Sequence, residues 1–144
     1  MKTSDELVQD ALAESILASI ADAVIYADDA GTIRRWNRAA ADLFGYSAAE
    51  ALGQSLDLII PEHLRAAHHR GFEAAMRNGD TKLLGRPTVT RATHATGRKL
   101  YVEMTFALVK GGAGVATRGA AAVARDVTAR VEQQRANARR DNPQ

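Results

Sequence analysis

Apolar and polar positions follow two different periods along the chain. Near the start, apolar residues recur every four positions, which predicts an amphipathic helix within residues 1–20. Ser4, followed by two acidic residues, is the predicted N-cap of this helix. One apolar stripe runs along it, formed by Val8, Leu12, Ile16 and Ile20.

A hairpin is predicted directly after this helix. The apolar run Ala23–Ala27 predicts a short buried strand, Asp28–Gly31 has the composition of a turn, and Thr32–Trp36 returns as a second strand. Asn37 is well placed to cap the helix that follows, which is predicted over residues 38–43.

Two more helices are predicted in the middle of the chain. Ser47 and Glu50 have the spacing of a capping box, so a short helix begins there. Pro61 is tolerated at the start of a helix, and a longer helix is predicted from Glu62 to about Arg77. One stripe of the longer helix is apolar apart from a histidine: Leu64, His68, Phe72, Ala75 and Met76.

The second half of the chain alternates as strands do. Lys82–Thr93 is strand-like, with Pro87 indicating an edge strand or a bulge. Lys99–Val109 alternates most clearly, and a last strand is predicted over Val115–Arg125 after a flexible turn at Lys110–Gly114. The predicted apolar face of the longest strand is Leu100, Val102, Met104, Phe106 and Leu108. Its predicted polar face is Lys99, Tyr101, Glu103 and Thr105.

The order of these elements predicts the fold class. A helix, two strands, several short helices and three strands indicate an α+β plan, with one antiparallel sheet and helices packed against one face. From residue 128 to residue 144 the chain is polar and helix-permissive, which predicts a helical linker or tail with a frayed end.

Composition narrows the possible functions. The chain has 144 residues, 46% hydrophobic residues, a net charge of +2 and no cysteine, so it fits one domain without disulfides or thiolate sites. Acidic residues at its start and the lack of a long apolar run predict a cytoplasmic protein that does not enter a membrane. Aromatic residues make up only 5%, which argues against a nucleic-acid surface.

Several short motifs occur in a fixed order, and their combination is specific although each alone is weak. They are Gly31–Asn37, Leu43–Tyr46, Glu50, Gly53, Ile60–Arg65, Gly97 and Ala124–Thr128. In this order they resemble the core of the PAS family of sensory domains. The resemblance implies a five-stranded antiparallel sheet over residues 14–127 and a signalling helix after it. It also implies a ligand-binding or partner-binding role, a homodimer, and an effector protein in cis or in trans.

The resemblance extends in part to heme-binding PAS sensors. Their iron ligand is a histidine on the same mid-chain helix, and alignment without gaps puts His68 at that position. Thr88 stands where those sensors have an arginine that binds oxygen, with Arg86 two residues before it. The resemblance therefore implies heme b as the best single cofactor candidate, with His68 on the iron. Arg86 or Met104 is then the candidate distal group, and the alternative is that NO or CO is the gas that binds.

A binding set follows from this alignment and from the apolar strand face. It consists of His68, Phe72, Leu84, Arg86, Val102, Met104 and Phe106. A histidine on a helix stripe is also a common packed residue, so the ligand role and the packing role both stay open. His63, His69 and His94 are predicted to lie at the surface or in turns.

Other chemistry finds no support in the sequence. No phosphate-binding loop, metalloprotease helix or nucleophile elbow is present, so no catalytic residue is predicted. A flavin of the cysteinyl-adduct type is disfavoured because the chain has no cysteine. Two hypotheses remain. One is a sensor with a ligand between the long helix and the sheet. The other is a dimerisation module without a ligand, whose cavity is filled by its own side chains.

Overall fold

The chain forms five α-helices and five strands within residues 1–111 and 117–141, which the computed structural model describes. Residues 112–116, which belong to the predicted turn and the start of the predicted last strand, lie outside this range, as do residues 142–144 of the predicted frayed end. The helices are α1 (Ser4–Ser19), α2 (Arg38–Phe44), α3 (Ala48–Ala51), α4 (Arg65–Asn78) and α5 (Thr128–Asp141). The strands are β1 (Ala23–Asp28), β2 (Ile33–Trp36), β3 (Thr88–Thr93), β4 (Lys99–Lys110) and β5 (Thr117–Asp126).

One antiparallel sheet has the strand order β2-β1-β5-β4-β3. The last strand returns to the centre, so β5 pairs with β1 on one side and with β4 on the other. In this register Ala122 lies beside both Ile25 and Phe106 on the face that the middle helices cover. The predicted α+β architecture is confirmed.

The core is filled most completely under α2 and the β1–β2 hairpin. Phe44 and Ile33 are fully buried there, next to Leu100 at the start of β4. The rings of Trp36 and Phe44 lie 5.4 Å apart between centroids. The Trp36 indole N–H donates to the carbonyl of Tyr46 at 2.9 Å, so this large side chain is packed with its polar atom satisfied.

Asn37 is the predicted cap and also a buried junction. Its Oδ1 accepts from the backbone N–H of Ala40, which caps α2, and from the N–H of Val24. Its Nδ2 donates to the carbonyls of Leu17 and Asp22. The prediction of a cap at Asn37 is confirmed, and the same side chain ties the end of α1 to the sheet.

Helix starts differ from the predictions in two places. The N-cap of α1 is Thr3, not Ser4, because Thr3 forms a reciprocal capping box with Glu6 three residues on. The predicted helix Glu62–Arg77 consists of a 3₁₀ turn, Glu62–Leu64, followed by α4. The capping box predicted at Ser47 and Glu50 is present.

The strand predicted over Lys82–Thr93 is only half as long as expected. Regular pairing begins at Thr88, and the residues before it form turns and one isolated bridge between Leu84 and Phe106. The positive φ of Gly85 and the missing N–H of Pro87 explain the late start, since neither residue continues a ladder.

Tyr101 lies on the outer face of β4, as predicted, but this part of the outer face is covered. Tyr101 does point away from the middle helices, but only 7% of it is exposed. The guanidinium of Arg135, from α5, lies 4.9 Å from the centre of the Tyr101 ring, and that of Arg91 lies 5.6 Å from it. The C-terminal helix therefore covers this part of the outer face.

The apolar stripe of α1 is exposed along its whole length. The exposed fractions are 63% for Val8, 51% for Leu12 and Ile16, and 37% for Ile20. Only Leu17 of this helix is half-buried. None of the helices in residues 1–111 and 117–141 has the length and apolar character required to span a bilayer.

Candidate ligand cavity

A cavity of about 380 Å³ lies between α4 and the inner face of the sheet. Its floor is formed by the inner face of β4 and by the alanines of β5, and its roof by one side of α4. The described residues that line it are Ile25, Ala27, Leu56, Ile59, Ile60, Leu64, Ala67, His68, Phe72, Leu83, Thr88, Thr90, Arg91, Ala92, Val102, Met104, Phe106, Ala120, Ala121 and Ala122. The predicted apolar side of the long helix thus faces the predicted apolar side of the long strand.

The small side chains of β5 help to leave this space open. Ala120 and Ala122 both line the cavity, and Ala122 lies beside the larger side chains of Ile25 and Phe106 on the neighbouring strands. A strand of larger residues would bring more side-chain volume into the same space, because protein interiors pack closely. Alanine at these positions therefore contributes to the volume of the cavity.

His68 is the polar residue of the roof. Its ring stacks on that of Phe72, with 5.9 Å between centroids and 28° between planes. Its Nδ1 is buried and has no hydrogen-bond partner among the described residues. Burial lowers the pKa of His68 and the neighbouring His69 lowers it further, while Asp57 opposes them. The site therefore favours the neutral form of the imidazole.

The rest of the wall is almost free of charge. Thr88 and Thr90 contribute hydroxyl-bearing side chains from β3. Among the described residues that line the cavity there is no lysine, aspartate or glutamate. Arg91 touches the cavity wall, but it pairs with Tyr101 and its guanidinium lies over that ring on the opposite face of the sheet. A charged group inside the cavity would have no buried counter-charge, which is costly.

The predicted site residues divide into two groups. His68, Phe72, Val102, Met104 and Phe106 all line the cavity. Leu84 and Arg86 do not, because the chain before Thr88 forms turns in place of the predicted strand. Leu83 and Thr88 take part in the wall instead.

Several wall residues were not predicted from the sequence. Leu56, Ile59 and Ile60 come from the 3₁₀ turn Leu56–Ile59 and the residue after it, and they close one side of the cavity. The paired isoleucines before Pro61 were a signal of burial, but nothing in their spacing indicated which element they would face. Their position depends on long-range packing.

The other histidines lie outside the cavity wall. The side chain of His69 is 53% exposed, as predicted, and its Nε2 lies 2.7 Å from a carboxylate oxygen of Asp57. His63 is exposed, and His94 lies in the turn before β4, where its Nδ1 is 3.0 Å from the Thr96 hydroxyl. His68 is therefore the histidine whose position suits a ligand in the cavity.

Comparison with known proteins agrees with this geometry. A sequence profile described as the PAS fold matches residues 11–127, which is most of the chain. The chain belongs to this PAS family. A crystal structure of a PAS domain from Colwellia psychrerythraea superimposes with a TM-score of 0.68 and 26% identity, covering 86% of this chain and 98% of that one.

Two curated relatives of this PAS domain are signalling proteins. The sensor protein FixL of Bradyrhizobium diazoefficiens is 29% identical over 98 residues, covering 68% of this chain and 19% of FixL. The cell-division control histidine kinase PdhS of Brucella ovis is 32% identical over 132 residues, covering 89% of this chain and 12% of PdhS. The chain spans less than a fifth of the length of each of these curated relatives.

Proposed function

We propose that this PAS domain is a sensor that binds a small, mostly apolar ligand in the cavity under α4 and passes the signal to α5. The observation that carries the proposal is the unpartnered ring nitrogen of His68 beside an otherwise apolar space. Buried polar atoms are nearly always hydrogen-bonded, so a ligand that engages His68 would supply the partner that this ring nitrogen lacks among the described residues. The cytoplasmic location predicted from the sequence stays a prediction.

The size and lining of the cavity define the class of ligand. A volume of 380 Å³ is within the range of about 300–1,000 Å³ that is typical of small-molecule sites. Uncharged walls favour a neutral or mainly apolar molecule that has one polar or metal-bound group near His68. The cavity argues against the hypothesis of a module without a ligand, because that hypothesis requires Met104 and Phe106 to fill the space, and they form part of its wall instead.

Heme b is the specific cofactor that we propose. The donor set suits it, since a neutral imidazole is a common axial ligand of heme iron and apolar walls suit a porphyrin. His68 would hold the iron, and Val102, Met104 and Phe106 would cover the other side. When bound, heme would supply a site for a diatomic gas or an electron. Arg86 does not line the cavity, so Met104 is the better-placed of the two predicted distal residues.

Strand β4 separates the cavity from α5, because its neighbouring residues face the cavity and α5 in turn. Val102 and Met104 line the cavity from the inner face of β4, while Tyr101 and Glu103 point to the outer face. The outer face of β4 carries the contacts of α5: Thr128 with the backbone of Tyr101, Arg135 with the Tyr101 ring, and Arg130 with Glu103 at 3.3 Å. A ligand that shifts β4 would therefore change the docking of this helix.

The partner of the signal is proposed to be a second copy of the chain, together with an effector in cis or in trans. The exposed stripe of α1, defined above by Val8, Leu12, Ile16 and Ile20, is the proposed dimer face. Such an exposed row of large apolar residues is a typical mark of an interface.

An absorption spectrum tests the cofactor most simply. We expect added heme to give a Soret band in the wild-type chain, and His68→Ala to shift or abolish it. His63→Ala is the matched control, because His63 is exposed and does not line the cavity. A Soret band that is the same in His68→Ala and in wild type would overturn the assignment of His68 to the iron.

Sedimentation or size-exclusion measurements test the dimer. Ile16→Asp puts a charge in the middle of the stripe and should convert a dimer to a monomer. Leu7→Asp is the matched control, because Leu7 is 56% exposed and lies nine positions away, on the opposite side of the helix. Equal behaviour of the two variants would count against this face.

A further inference from the structure

A second hollow lies on the other side of the cavity wall. Its volume is about 330 Å³, and it opens to solvent between α4, the β1–β2 turn and the 3₁₀ turn Leu56–Ile59. Leu56, His68 and Phe72 line both this outer hollow and the inner cavity, and these three residues form the partition between them. A β-carbon at Gly31 would lie 3.9 Å from Phe72 Cε1, so the β1–β2 turn rests against the same partition.

This partition is held by weak contacts. The exposed pair between Asp57 and His69 links the 3₁₀ turn to α4 at 2.7 Å. Nearby, the Arg65 guanidinium donates to the carbonyls of Ile60 and Asp57. An exposed pair contributes only about 0–1 kcal/mol to the stability of the fold. In α4, Ala75 is the sole buried residue. The partition can therefore open beside His69 and Phe72 at a small cost, while the two Arg65 hydrogen bonds keep the start of α4 against the 3₁₀ turn.

The outer hollow carries negative charge. Asp29, Asp57 and Glu73 line it, while its described lining includes no lysine or arginine. A mouth of one charge sign changes the rate at which charged molecules arrive, and salt weakens the effect. Anions therefore meet an unfavourable field here that neutral molecules do not.

We propose that ligands reach the cavity through this partition, that the Asp57–His69 pair holds it shut, and that the acidic mouth selects against anions. The inference rests on the proposed function, because it concerns access to the same cavity. Heme b carries two carboxylates, so this mouth would slow its uptake relative to that of a neutral ligand.

Two nearly isosteric dyes test the selection by charge. N-phenyl-1-naphthylamine is neutral, and 1-anilinonaphthalene-8-sulfonate adds one negative charge to the same skeleton. In stopped-flow fluorescence the neutral dye should bind faster, and the ratio of the two association rates should approach one as salt is raised. The double variant Asp29→Asn, Glu73→Gln should raise the association rate of the anion by about two-fold or more at low salt, without changing that of the neutral dye. The control is Asp42→Asn, which removes a carboxylate from another part of the surface.

Removal of the Asp57 carboxylate tests the Asp57–His69 pair. Asp57→Ala should raise both the association and the dissociation rate of the neutral dye by up to about five-fold, the factor that corresponds to about 1 kcal/mol, with little change in affinity. Asp42→Ala is the control. The proposed route would be overturned if Asp57→Ala left both rates of the neutral dye unchanged. It would also be overturned if the double variant left the ratio of the association rates of the two dyes unchanged.

A readout without a dye separates this inference from the proposed function. Amide hydrogen exchange of residues 66–72 in the ligand-free chain, at fixed pH, should be faster in Asp57→Ala than in Asp42→Ala. Failure of the neutral dye to bind would count against a ligand-binding cavity. Equal exchange in the two variants would overturn the role of the Asp57–His69 pair whether or not the dye binds.

Discussion

The two halves of the core are built against the same sheet but packed very differently. Under α2, a helix of seven residues, Phe44 and Ala40 are completely buried against the β1–β2 hairpin. Under α4, which is twice as long, only Ala75 is buried and a cavity of 380 Å³ separates the helix from the strands. We call the first region the filled half and the second the hollow half.

This difference separates stability from function. The filled half contains the Trp36–Phe44 contact and the Asn37 junction, which hold the hairpin, α1 and α2 together. The hollow half has an incomplete core and a histidine with an unsatisfied nitrogen, a state that costs stability unless something binds there. A rigid frame beside a loosely packed wall is the arrangement that a ligand-driven change requires.

Truncation of one phenylalanine in each half should give the largest contrast. Phe44→Ala should cost about 3–5 kcal/mol of unfolding free energy, because a fully buried ring leaves a void in close-packed surroundings. Phe72→Ala should cost only about 1 kcal/mol, because its half-buried ring already borders a cavity. Denaturant titration measures both values. Equal costs would mean that the hollow half is as well packed as the filled half.

Enlargement of one alanine in each half should give effects of opposite sign. Ala40→Leu should destabilise the chain by about 1–3 kcal/mol, because Ala40 is completely buried between α2 and the core. Ala122→Leu should stabilise it by about 0.5–2 kcal/mol, since the new side chain enters the cavity. Thermal unfolding gives the sign of each change. A destabilised Ala122→Leu variant would contradict an open cavity at this position.

The smallest expected effect concerns pH in the ligand-free chain. Burial holds the pKa of His68 below its ordinary value, so at about pH 7.5 the ring is neutral in both the folded and the unfolded state. As the pH falls below about 6.5, the unfolded chain binds the proton first, and folding stability declines. Between about pH 7.5 and about pH 5.5, His68→Gln should lose less unfolding free energy than the wild-type chain. The exposed control His63→Gln should lose as much as the wild-type chain. An identical loss in both variants would contradict the buried, neutral state.

Local patterns in the sequence predicted most of the fold. The caps at Asn37 and Ser47 and the alternation of β4 depend on residues within a few positions of each other, and all three are confirmed. The same alternation gave no sign that Tyr101 is covered, because its cover comes from Arg135 of α5, a separate element that follows β5. Alternation identifies the two faces of a strand, but it does not tell what covers the outer one.

The candidate site was predictable only where regular elements supply it. His68 and Phe72 follow from the period of a helix, and Val102, Met104 and Phe106 from that of a strand. Leu84 and Arg86 do not line the cavity, because a turn with a positive-φ glycine replaces the start of the strand predicted for them. The contributions of Ile59 and of the outer hollow depend on the meeting of distant segments, for which single-sequence periodicity gives no signal.

The most direct test of the account is a crystal of the chain under xenon pressure. Xenon enters apolar cavities without requiring a specific chemical partner. We predict xenon density between α4 and the sheet, in contact with Phe72 and Met104. Side chains of Leu64, His68 and Phe72 that turn to solvent, with no xenon above β4, would contradict the central claim that an open apolar cavity lies beneath this helix.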